Sequence, residues 1–139
     1  MNVRQWLGRA RYIDREIQSL EKALIDARDQ ATRITQNYEA DGAQSSKDPH
    51  KLDRLAEYAD LIRQKQGELI AAKAEITEAI YNVTDARYRI VLMEYYINKL
   101  SLEEIAVKEH YSYRHVRRFL RSGTETISEN LSHNVPIDL

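Results

Sequence analysis

Between Trp6 and Tyr38 the apolar side chains recur in alternating steps of four and three: Trp6, Ala10, Ile13, Ile17, Leu20, Leu24, Ala27, Ala31, Ile34 and Tyr38. A 3-4 repeat sustained over several heptads commits a chain to one long helix with a narrow apolar seam, as in a coiled coil. No proline interrupts the stretch, and Gly8 lies near its start. Arg11 and Arg15, four apart, repel along the helix, so ion pairing between turns is not its main support.

Asp41 to His50 reads as a connection, because Gly42 and Pro49 both stop helices and Asp48 can cap a new one with Pro49 in its first position. A second repeat follows: Leu52, Leu55, Ala59, Ile62, Gln66, Leu69, Lys73, Ile76, Ile80 and Val83, with Gln66 and Lys73 as polar members of the seam. Each helix would run roughly 33 residues, about 50 Å at 1.5 Å per residue. Equal lengths and a short connection predict an all-α chain whose residues 1–83 form a long antiparallel helical hairpin. Two lone helices bury little core, so the hairpin is expected to self-associate into a homo-oligomer of four-helix type.

A third helix is expected from Thr84 or Asp85 to Asn98, with Tyr81, Tyr88, Tyr95 and Tyr96 packed around it and their hydroxyls toward water. Ser101-Leu102-Glu103-Glu104 is a capping box: a cap hydroxyl with a carboxylate three residues on, each satisfying a free N–H. Leu102, Ile105 and Ala106 form the buried side of this short helix. Ser112 offers the next cap, and Val116, Phe119 and Leu120 the next buried stripe. Two helices joined by a three- or four-residue turn, the second one basic, predict a helix-turn-helix over 84–131, leaving 132–139 as a frayed tail.

The whole chain carries a net charge of −1, yet from Ser112 to Ser122 there are Arg114, His115, Arg117, Arg118 and Arg121 and no acid. Local patches, not overall charge, make an electrostatic footprint on DNA. At about 100° per residue, Arg114, Arg118 and Arg121 fall within about 40° of the direction opposite Val116, Phe119 and Leu120. Arginine can bond guanine O6 and N7 with two parallel N–H groups, and residues near a helix start reach base edges most easily. Arg114, His115 and Arg118 are therefore expected to read bases of double-stranded DNA. Ser112, Tyr113, Arg117 and Arg121 are expected on phosphate.

Other classes are disfavoured. There is no cysteine, and His50, His110, His115 and His133 show no ligand spacing, so no metal or other cofactor is expected. No glycine-rich phosphate loop or nucleophile elbow points to an enzyme. No apolar run nears the roughly 20 residues of a membrane span, and the arginine-rich start lacks the apolar region of a signal peptide; a cytoplasmic location fits.

Leu100-Ser101-Leu102-Glu103-Glu104-Ile105-Ala106, followed by Tyr111-Ser112-Tyr113-Arg114-His115-Val116-Arg117-Arg118, resembles region 4 of sigma-70 factors, the module that reads the −35 promoter element. The whole layout is similar to short phage and prophage regulators of the ArpU and RinA type. That resemblance implies a transcription regulator acting in a bacterial host cell, with contact to RNA polymerase open. Arg114 stands where sigma factors often carry glutamate, which implies a different base preference. His110-Tyr111 replaces a glycine-containing turn, so His110 is expected to tolerate positive φ. Gly123 stands where alanine is common; Ile127 and Leu131 favour continuation of the helix past it to about residue 131. Two alternatives remain: a DNA-packaging component like a small terminase subunit, whose DNA-binding module normally comes first, and a helical protein-interaction module.

Overall fold

Four helix starts in this chain are set by side chains that satisfy free backbone N–H groups. A computed structural model describes residues 1–40 and 49–134. The described residues form helices and no strand: α1 (Val3–Leu7), α2 (Arg9–Ala40), α3 (Pro49–Tyr81), α4 (Ala86–Leu92) continued by a π-turn (Met93–Ile97), α5 (Leu102–Glu109) and α6 (Tyr113–Asn134). No helix among the described residues is long and apolar enough to cross a membrane. The connection expected at Asp41 to His50, as far as Asp48, and the tail from Val135 lie outside the described residues.

The helix expected without a break from Trp6 is interrupted at Gly8. Asn2 and Gln5 form a capping box at the start of α1, and the Gly8 N–H closes that helix on the Arg4 carbonyl at 2.9 Å. A Cβ at Gly8 would stand 3.1 Å from that carbonyl, closer than most side chains tolerate. The apolar seam itself is as expected: Ala10 and Ile17 are buried, and Ile13, Leu20, Leu24 and Ala27 are half-buried between exposed polar neighbours.

Along α3 and just past its end the seven-residue series Leu55, Ile62, Leu69, Ile76 and Val83 faces inward, but its expected companions do not all follow. Leu52 is 68% exposed and Gln66 is exposed. Tyr58, Lys65, Ala72 and Ala79 instead complete a 3-4 series with the inward residues, each half-buried or buried. Lys65 sits there because its stem packs while its ammonium meets Glu16 at 3.3 Å and Glu68 at 3.1 Å, which together hold its pKa up.

The chain packs as two units, Ile13–Glu68 and a second made of Met1–Tyr12 with Leu69 onward. The second unit does not follow the sequence boundary between residues 83 and 84. Leu7, Ile76, Ile80 and Val83 are fully buried, as are Val91, Leu92, Ile105, Val116 and Ile127 farther along the chain. Full burial of such a side chain is worth roughly 1.5–3 kcal/mol, which favours recruiting the first residues into this unit.

The π-turn was not foreseen. Asn98 N–H reaches back to the Met93 carbonyl at 3.0 Å and Leu100 N–H to the Glu94 carbonyl at 2.9 Å. Arg11 donates to the Tyr95 carbonyl at 2.6 Å, and its guanidinium lies 4.4 Å from the Tyr95 ring centre. Side-chain insertion of this kind compensates a widened helical turn. Glu94 in the turn is buried; one carboxylate oxygen takes Lys108 Nζ at 3.0 Å, while Oε2 is buried without a hydrogen-bond partner. Glu109 lies in hydrogen-bonding reach of Glu94, which, together with partial burial, pushes its pKa up. Tyr96 departs from the expectation for the tyrosines. It is 6% exposed and its hydroxyl meets Thr124 rather than water, and burial raises its pKa. Tyr81, at 64% exposure, does not pack.

Candidate nucleic-acid interface

Asp85 caps α4 by accepting the Arg87 N–H at 2.9 Å, one of the two caps expected there. The Ser101 box closes α5: Glu104 N–H donates to Ser101 Oγ at 3.1 Å, and Ser101 N–H donates to Glu104 Oε1 at 3.4 Å. His110 then turns the chain with φ 57° and ψ 39°, the left-handed conformation expected where glycine is absent. Tyr111 N–H bonds the Ala106 carbonyl at 3.0 Å across this turn. Three residues thus separate α5 from α6, whose start is capped by Ser112, the acceptor of the His115 N–H at 3.2 Å.

Beneath α6, Val116 and Phe119 form a cluster with Val91 and Ile105, and Leu102, Ala106 and Leu120 pack against it. Phe119 is the pivot. Tyr111 meets it edge-on at 5.2 Å, Tyr88 lies tilted at 5.8 Å, and His115 stacks on it at 6.0 Å with planes 14° apart. Gly123 does not end α6. A Cβ there would stand 2.8 Å from Leu92 Cδ1, so the missing side chain is what lets α4 and α6 approach.

All seven sequence-predicted residues, Ser112, Tyr113, Arg114, His115, Arg117, Arg118 and Arg121, are exposed. Arg114, Arg118 and Arg121 lie opposite the buried Val116, Phe119 and Ile127 on the helix wheel. Among the described residues no carboxylate forms an ion pair with any of the four arginines. Arg117 stands 5.9 Å from the Tyr113 ring centre and Arg118 5.6 Å from that of Phe119. The same outward face turns acidic beyond the basic run, at the exposed Glu125 and Glu129. The positive surface is therefore confined to the first turns of α6.

One positive group escaped the sequence reading. Arg87 on α4 lies 5.2 Å from the Phe119 ring centre, at the edge of the arginine face. Asp85 holds its guanidinium at 3.0 Å, which lowers the carboxyl pKa and raises that of the arginine, and offsets much of its charge. Only the three-dimensional approach of α4 to α6 brings residue 87 beside residue 119; no local spacing signals it. The chain matches no family model, no curated protein and no solved structure.

Proposed function

We propose that this protein is a sequence-specific reader of double-stranded DNA that regulates transcription, of the phage or prophage type its sequence resembles. In this reading α5, the turn at His110 and α6 are a helix-turn-helix of sigma region 4 kind, and α6 is the recognition helix. The observation that carries it is the exposed, unpaired arginine face on the first turns of α6, backed by a buried apolar stripe and free of carboxylates. Arg114, His115 and Arg118 face base edges, while Tyr113, Arg117 and Arg121 face phosphate. Ser112, expected on phosphate, has its hydroxyl engaged with His115 at 3.0 Å. RNA polymerase is a further partner that this reading allows.

Residues 13–68 serve, in this proposal, as a self-association arm built as an antiparallel hairpin. Within it Glu16 of α2 pairs with Lys65 of α3 at 3.3 Å. Among the described residues of this unit only Ile17 and Ile62 are buried apolar side chains, and Ile25 is 56% exposed. So thin a core favours a second copy. A sedimentation mass of one chain at micromolar concentration removes this part.

The test of DNA reading is an anisotropy titration on randomised duplexes, with selection and sequencing, at two salt concentrations. Wild type should enrich a motif and weaken with salt as phosphate contacts are lost, and the Arg114/Arg118 double alanine variant should enrich none. Absence of salt-sensitive binding by wild type turns the reading to a helical protein-interaction module.

A further inference from the structure

We propose that Ser112 is a specificity-determining positioning residue: its hydroxyl fixes the His115 ring in the Nε2–H form and presents that single donor to the major-groove edge of a guanine. The inference rests on the DNA-reading role proposed for α6 and names what one of its side chains reads.

Three contacts hold the ring. Ser112 Oγ lies 3.0 Å from Nδ1. The same Oγ accepts the His115 backbone N–H at 3.2 Å, so ring and backbone are tied to one atom. The opposite constraint is Phe119, stacked at 6.0 Å and itself only 4% exposed, which cannot swing away. His115 is nevertheless exposed.

A serine hydroxyl has one proton and two acceptor lobes. The backbone N–H occupies one lobe; in this proposal the hydroxyl proton points at Nδ1, 3.0 Å away, and the second lobe faces solvent. A neutral imidazole that accepts at Nδ1 carries its hydrogen at Nε2. Nε2 is the nitrogen left for an outside partner, and it arrives as a donor without an acceptor. In the major groove guanine shows two adjacent acceptors, N7 and O6. Adenine sets an N6–H₂ donor beside N7, and cytosine offers its N4–H₂ donor. Thymine offers one acceptor, O4, beside its methyl group. A fixed lone donor meets a competing donor on adenine and cytosine, and finds two adjacent acceptors on guanine alone. Ser112 thereby acts on DNA through His115 and not through phosphate.

Two measurements test this. Imidazole ¹⁵N shifts of the free protein, at a pH where the ring is neutral, should show the Nε2–H form for His115, and Ser112→Gly should move the ring toward a mixture. Glycine is tolerated at helix caps, so this variant keeps the start of α6. In parallel, randomised duplexes are selected with wild type, His115→Ala, Ser112→Gly and Ser112→Thr. One position should enrich guanine with wild type and with Ser112→Thr. His115→Ala and Ser112→Gly should lower that preference roughly three- to tenfold, the worth of one neutral hydrogen bond. An Nδ1–H signal in wild type overturns the proposal, as does a guanine preference that Ser112→Gly leaves intact while His115→Ala abolishes it. A wild type that selects no motif overturns the DNA reading of α6 itself, an outcome distinct from either.

Discussion

Two glycines lie inside long helices of this chain, and their replacement by alanine should have opposite signs. Gly67 lies mid-way along α3, exposed, with nothing within 4 Å of a Cβ built on it. Alanine there removes a helix penalty of about 1 kcal/mol and meets no neighbour, so Gly67→Ala should stabilise by about that amount. Gly123 gains the same propensity term, but its Cβ would stand 2.8 Å from Leu92 Cδ1, 3.2 Å from Leu92 Cγ and 3.3 Å from Tyr88 Cβ. Leu92 has no exposed surface into which to swing. Overpacking of this kind costs roughly 1–3 kcal/mol, which leaves Gly123→Ala destabilising by up to about 2 kcal/mol. The assay is urea unfolding of wild type, both single variants and Gly123→Ala combined with Leu92→Val. The second change should recover part of the loss caused by the first, giving a coupling that independent sites do not show. If Gly123→Ala raises the midpoint as much as Gly67→Ala does, the close approach of α4 and α6 is not what holds glycine at that position.

Other outcomes follow from the same geometry. Arg118→Ala should cost about 1–3 kcal/mol on a selected duplex and little on random DNA, whereas Arg121→Ala should weaken both and reduce the salt slope, measured by anisotropy. His110→Gly should stabilise by about 1 kcal/mol in thermal unfolding, because φ 57° is free to glycine and strained for histidine. Glu109, whose folded pKa is raised beside Glu94, contributes stability below its unfolded pKa that is lost as pH rises through the folded value. Glu109→Gln should therefore be more stable than wild type at neutral pH, by about 1 kcal/mol if its amide bonds the buried Glu94 Oε2, and the gap should close in acid; urea midpoints at pH 4 and pH 7 decide it.

Features written in the sequence within four residues of each other were legible. The Ser101–Glu104 box, the Ser112 cap and the inward set Val116 and Phe119 each depend on one or two helical turns. The left-handed His110 was inferable through the resemblance alone, which sets His110-Tyr111 in the place of a glycine-containing turn. The seam of α3 was read in part: Ile80 is buried as expected, but a hydrophobicity criterion admits Leu52 and passes over Lys65 and Ala72, although alanine fits a close contact and a lysine stem can line one. The π-turn was not legible at all. Its support comes from Arg11 and Lys108, residues distant in the chain. Arg87 was missed for the same reason. Its place beside the basic face is a property of how α4 meets α6.

Met1–Tyr12 share a compact unit with the residues from Leu69 onward, so partners in one core stand apart in sequence by the whole of Ile13–Glu68. On a ribosome Leu7 and Ala10 emerge early and must wait for partners made late, since α1 packs on α6. Pairing of the long helices would shorten the loop to be closed and lower its entropic cost before that final docking. Synthesis therefore completes the arginine face only after α1 to α5 have emerged. A nascent chain stalled before Phe119 leaves the apolar flank of its first helix uncovered, a state in which chaperone capture competes with completion.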